Sequence, residues 1–186
     1  MGRIAIFIDG GYIEKVLNNE LDAVRIDYSR LCSAIVNHVS PSIDLLRAYY
    51  YHCLPYQSNP PTPTEQALFA KRQKFLDALD RLPRFEVRYG RLERRGPDAS
   101  GQYRYEQKLI DVLLSVDLVR LSATRQITHA ALVAGDSDFC PAVDVAKMDG
   151  VSTWLFHGQS PHRELWRRAD ERVLIDRTFA NAILYP

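Results

Sequence analysis

Two short apolar runs, each ended by an aspartate beside glycine, constrain this sequence more than any other feature. Arg3 to Ile8 reads R-I-A-I-F-I and stops at Asp9-Gly10-Gly11, while Ala130 to Ala134 reads A-A-L-V-A and stops at Gly135-Asp136. Neither run alternates apolar with polar residues. That suits strands buried on both faces, and such strands belong to parallel sheets with helices on either side.

The intervening segments fit this scheme. Tyr12 to Asn18 reads as a short helix, and Tyr28 to Val39 places Leu31, Ile35 and Val39 at helical spacing before Pro41 stops it. Ile43 to Leu54 is the second strand. Pro55 to Thr64 carries too many prolines for a regular element and is a surface loop or lid. Thr64 begins a capping signal for a helix over Ala67 to Leu82. Phe85, Val87 and Tyr89 alternate with Glu86 and Arg88 as in a half-exposed strand, and Gly96 to Gly101 is expected to be a mobile loop. Gln107 to Thr124 gives a long, largely buried helix. After the Ala130 strand, Ser137 or Asp138 can N-cap a helix that runs to about Met148 and ends at Gly150. Val151 to Phe156 is a further strand, followed by a helix start at Ser160-Pro161 and a final apolar stretch, Val173 to Ile175. Strands alternating with helices predict an open, doubly wound α/β sheet.

At 186 residues the chain is expected to form one domain, 1–186. The 46% hydrophobic and 25% charged residues fit a globular protein, and no apolar run is long enough for a membrane span. A cytoplasmic location is expected. Cys32, Cys53 and Cys140 are far apart and lack paired zinc spacing, so they read as reduced, half-buried thiols. A formal net charge of +1 means that any polyanion must be met by a local patch.

In an open parallel sheet, sites form beyond the carboxyl ends of the strands, where neighbouring strands send the chain to opposite faces. Asp9 and Asp136 each follow a buried strand, and they meet at such a point if the two strands are neighbours. Asp111 lies one turn into the helix leading to the Ala130 strand, where Lys108, Asp111 and Ser115 would share a polar stripe. Asp138, two residues past Asp136, sits at a helix start. Four carboxylates from three segments suit Mg²⁺ or Mn²⁺ rather than zinc. Such ions support in-line displacement at phosphorus. Three of the four also have a plain structural use: Asp9 as a turn aspartate, Asp138 as an N-cap, Asp111 as a partner of Lys108. Their conjunction favours the site. Asp117 falls roughly 120° away on the same helix and is expected to pair with Arg120.

At these residues the sequence resembles the NYN family of PIN-like nucleases, in particular its bacterial LabA-like branch. The resemblance rests on I-F-I-D-G-G-Y at Ile6 to Tyr12, Q-K-L-I-D-V-L-L-S-V-D-L at Gln107 to Leu118 and L-V-A-G-D-S-D-F at Leu132 to Phe139. Asp149 to Val151 and Ser160 to Asp170 add to it. It implies a PIN-like, Rossmann-like three-layer fold with a mostly parallel five-stranded sheet of order 3-2-1-4-5. It further implies Mg²⁺- or Mn²⁺-dependent cleavage of RNA by Asp9, Asp111, Asp136 and Asp138. Many relatives carry D-G-x-N after the first strand, where this chain has Asp9-Gly10-Gly11-Tyr12 and no Asn before Asn18.

Lys71 to Lys108 is the most basic stretch, with Arg88, Arg91, Arg94 and Arg95 beside Tyr89, Tyr103 and Tyr105. Arginine beside aromatic rings suits unpaired, stacked bases, and a solvated helix face and strand edge would look the same. Arg163 heads a second cluster with His162, Arg167, Arg168 and Arg172. The expected activity is thus an endoribonuclease acting on single-stranded RNA. The alternatives are a non-catalytic RNA-binding or regulatory module and a metal-dependent phosphatase. Exposed strand edges and the Tyr49-Tyr50-Tyr51 run point to a homodimer.

Overall fold

The computed structural model describes residues 2–97 and 103–185. β1 (Arg3–Asp9) lies at the centre of the sheet, between β2 (Asp44–Cys53) and β5 (His129–Val133) and parallel to both. Its side chains alternate between two cores. Ile4, Ile6 and Ile8 pack with α1 (Gly10–Glu20) and α2 (Tyr28–Val39), whereas Ala5 and Phe7 pack under α4 (Ile110–Ala123) and α5 (Cys140–Met148). Both faces of the strand are apolar because both are covered. The same alternation runs through β2, where Tyr50 joins the first core and Tyr49 and Tyr51 the second.

The expected five-stranded sheet of order 3-2-1-4-5 needs correction: the sheet has seven strands, ordered β4-β3-β2-β1-β5-β6-β7. β3 (Phe85–Pro97) runs on through the supposed loop start at Gly96, and β4 (Tyr103–Lys108) returns antiparallel to it. The rest of the loop expected up to Gly101 lies outside the described residues. β6 (Ser152–His157) carries β7 (Glu171–Leu174) on the other edge, and all pairs except β3/β4 are parallel. β4 is a polar edge strand without the apolar runs of the interior, and β7 is short, with only its second half inside the apolar stretch Val173 to Ile175, so neither read as a strand.

Several boundaries move for local reasons. Thr62, not Thr64, caps α3 (Pro63–Asp80), with Pro63 in its first turn and Glu65 completing a capping box. The helix expected from Gln107 begins at Ile110, after Leu109 turns the chain in a left-handed conformation (φ 74°). Lys108 therefore belongs to β4 and shares no helical stripe with Asp111. α6 (Arg163–Arg168) is capped by His162, and α7 (Arg177–Ala182) closes the first core with Ala180.

Tyr49, Tyr50 and Tyr51 are buried in β2, so the aromatic run expected at a dimer surface is core. Cys32, Cys53 and Cys140 are free and buried, not half-buried. No helix among the described residues is long and apolar enough to cross a membrane.

Candidate functional site

β1 and β5 are parallel neighbours, with Ile8 beside Val133, yet the chain leaves them toward opposite faces. After β1 it enters α1, whose Ile13, Val16 and Leu17 join the first core; after β5 it reaches α5, whose Ala142, Val143 and Ala146 join the second. This is the switch point of the sheet, and Asp9 and Asp136 both stand at it.

Asp9 ends β1 in register with Ala5 and Phe7, so its side chain belongs to the α4 face. One oxygen accepts the Tyr12 N–H (3.1 Å) and caps α1. Gly10 is required here for space: a Cβ would lie 2.6 Å from the rings of both Tyr50 and His52. Asp111 is the second residue of α4, whose N-cap Leu109 makes no side-chain capping bond, so the helix start is left open to an acceptor. Asp136 caps the short 3₁₀ turn Ser137–Phe139 by accepting the Asp138 N–H (3.1 Å). Neither Ser137 nor Asp138 is the cap, contrary to expectation, and the Asp138 carboxylate is exposed and not used in capping.

Asp9, Asp111 and Asp136 line one cleft of about 860 Å³, together with Tyr12, Lys15 and His162. Asp138 lines the adjoining groove between α4 and α5, which Asp111 shares. The acids feel one another. Burial and then the Asp111 charge push the Asp9 carboxyl up, although backbone N–H groups of Tyr12 and Gly11 oppose this. Burial, then the charges of Asp136 and Asp138, raise Asp111. Among the described residues none of the four forms an ion pair. Among those residues, too, no three acidic, His or Cys side chains are drawn close enough to enclose one ion as they stand. In donor type, and in standing outside any ion pair among the described residues, the four aspartates fit an oxygen-preferring dication.

The NYN domain family matches residues 3–176, from the start of β1 to beyond β7, a span that contains all four aspartates. The chain belongs to the NYN family. NYN domains are PIN-like nucleases associated with RNA. No curated protein sequence matches the chain.

In this NYN domain Tyr12 follows Asp9-Gly10-Gly11 in the first turn of α1. Its hydroxyl accepts the Gly158 N–H (2.9 Å), and its ring lies against Gly135, where a Cβ would be 2.1 Å from the ring. His162 N–H donates to the Gly135 carbonyl (2.8 Å), so the turns after β1, β5 and β6 are bound together around the cleft. Sequence reasoning missed Tyr12 as a site residue, although it follows the first aspartate within one motif. It also missed Lys15, one helical turn past Gly11 and on the cleft wall.

Behind Asp9 lies a second unforeseen group. Glu14 of α1 accepts from Arg72 of α3 (3.1 Å to Nη2) and from Tyr50 (3.3 Å), and it lies 3.4 Å from His52 Nε2. Burial alone would raise the Glu14 carboxyl, but hydrogen bonds and charges from His52 and Arg72 outweigh it and hold it at about 2. No local motif signals this group, because its members come from three distant segments.

The expected phosphate-binding cations separate into two kinds. Arg88 pairs with Asp117 (3.2 Å) and Glu86 (2.8 Å), Arg95 with Glu106 (2.7 Å), and Lys108 with Glu106. Asp117 therefore takes Arg88 and the Tyr51 hydroxyl (2.9 Å) as partners in place of the expected Arg120. Arg163 lines the acidic cleft, and Arg94 stacks on tyrosine rings. In the second cluster Arg168 pairs with Asp144 and Glu164, and Arg172 binds carbonyls at the end of α6. His157 is buried against the Gly158 carbonyl, away from any role at the cleft. Asp170, within the family-like segment, clasps Thr153 (2.8 Å) and Lys147 (2.8 Å) and is structural.

Proposed function

We propose that this NYN domain is a divalent-metal-dependent endoribonuclease of the LabA-like kind that hydrolyses single-stranded RNA. The observation that carries this reading is the convergence of Asp9, Asp111 and Asp136 on one cleft at the switch point, with none of them in an ion pair among the described residues. Crowding the half-buried Asp9 and Asp111 against one another and against Asp136 costs free energy that a bound dication would offset. Asp138 joins the set from the adjoining groove.

Mg²⁺ or Mn²⁺ held by these aspartates would supply a polarised water and charge stabilisation at phosphorus. The chain's own residues do the rest. Lys15 and Arg163, both in the cleft lining, bind phosphate oxygens and orient the backbone. Tyr12 keeps the turns at Asp9 and Gly135 in fixed relation, so the carboxylates are held in place before substrate arrives. The cleft opens at a sheet edge, which admits an internal stretch of strand.

With Mn²⁺, the protein is expected to cut a labelled circular single-stranded RNA, which an exonuclease cannot do. Asp136→Asn should slow cleavage by about 100-fold or more, the scale of losing a group that acts on the transition state. An intact circle, or an Asp136→Asn protein as fast as the parent, would sink the proposal; binding without product would mark an RNA-binding module.

A further inference from the structure

We propose that the β3–β4 ribbon is a base-stacking arm that holds unpaired RNA beside the acidic cleft; this rests on the RNA-directed function proposed above. β3 pairs with β2 only as far as Cys53 beside Gly90, and beyond that point it pairs with β4 alone. Residues from Arg91 onward thus project past the carboxyl edge of the sheet, the edge that carries Asp9 and Asp136. The base of the ribbon is fixed to the site. A Cβ at Gly90 would meet Ile110 at 2.6 Å, and Ile110 adjoins Asp111. Leu92 packs into the core beneath α4, so its face of the ribbon looks to the same side of the sheet as Asp111.

The two faces of the ribbon differ in chemistry. On one, Arg95, Glu93, Glu106 and Lys108 neutralise one another. On the other, in line with Leu92, Arg94 stands opposite Tyr105. Its guanidinium lies 4.4 Å from the Tyr103 ring centre and 5.1 Å from that of Tyr56, and Tyr56 lies 5.6 Å from Tyr105. Tyr103 and Tyr105 are each 51% exposed. Among the described residues Arg94 has no carboxylate partner, in contrast to Arg95 one position on.

Flat rings that alternate with an uncompensated guanidinium are a surface for π-faced anions, and a single strand of RNA supplies both bases and phosphates. A protein partner would call for an aliphatic patch as well, and among its described residues this face of the ribbon offers only Leu92, which is partly buried. At ~3.3 Å per residue, β4 places Tyr103 about 17 Å from Lys108. A strand stacked on the arm therefore runs down toward the cleft.

The test is a binding measurement on the full chain with a chelator present, so that cleavage plays no part. Fluorescent oligoadenylate should bind about tenfold or more tightly than an abasic phosphodiester of equal length and charge. Tyr103→Ala with Tyr105→Ala should erase that preference, Tyr105→Phe should keep it, and Arg95→Ala on the opposite face should leave it in place. Crosslinking of 4-thiouridine RNA to the unmodified protein should fall on the Phe85 to Lys108 peptide. Equal affinity for the two chains, a preserved preference in the double alanine variant, or crosslinks solely elsewhere would overturn the arm. Cleavage with Mn²⁺ is scored separately, so loss of the nuclease reading and loss of the arm are told apart.

Discussion

Glu14 shows how a single residue outside the cleft can govern it. Its carboxylate bonds Arg72 and lies beside His52, whose ring, with that of Tyr50, abuts Gly10 directly after Asp9. Because its pKa in the fold lies near 2, below its ordinary value, the stability it contributes is present above about pH 4.5 and is lost as pH falls toward 2. Glu14→Gln should cost on the order of 2 kcal/mol at pH 7, and urea melts of the two proteins should converge near pH 2 to 3. A constant difference across that range would show that the contribution is packing and not charge. Such a group could not be read in advance, since residues 14, 52 and 72 share no period or motif. Asp9 and Asp136 could, because an acid directly after a buried strand has its position set by the sheet. Asp138 was legible as an acid but not in its role, which depends on Asp136 taking the cap.

The elements that carried strong apolar periodicity appear much as expected. α2 spans Tyr28–Val39 as predicted, and β1, β2, β5 and β6 move by a residue or two. β4 did not appear in the pattern. Its sequence, Y-R-Y-E-Q-K, looks like a polar lead-in to the helix, and only its pairing with β3 makes it a strand. The mistake then propagated to Lys108, assigned to a helix it does not enter. The junction between β4 and α4 is Leu109, 48% exposed and held at positive φ, a conformation disfavoured for a residue with a Cβ. Leu109→Gly should therefore raise stability by about 1 kcal/mol, or 2–4 °C for a domain of this size, even after glycine's larger entropy loss. A fall in melting temperature would mean that the leucine side chain gives more than its backbone costs.

For the molecule as a whole, the four aspartates are a standing electrostatic burden on the metal-free fold, and a dication should relieve it. At about 100 times its dissociation constant, free Mn²⁺ would add about 2.7 kcal/mol, or roughly 5–11 °C, measured by calorimetry. Asp111→Asn should melt higher than the parent without metal at pH 7, since one of the mutually repelling charges is gone, and should lose most of the metal-induced rise. A parent protein indifferent to Mn²⁺ and Mg²⁺ would remove the metal from the account. The switch point has one more consequence, for the order in which the chain is made. Asp136 is made more than a hundred residues after Asp9, and the strand that brings them together, β5, lies between Asp111 and Asp136 in sequence. A nascent chain with β1 through α4 already formed still holds only half of its carboxylates. The cleft is therefore complete only after the turn that follows β6, which supplies His162 and Arg163, has also been made.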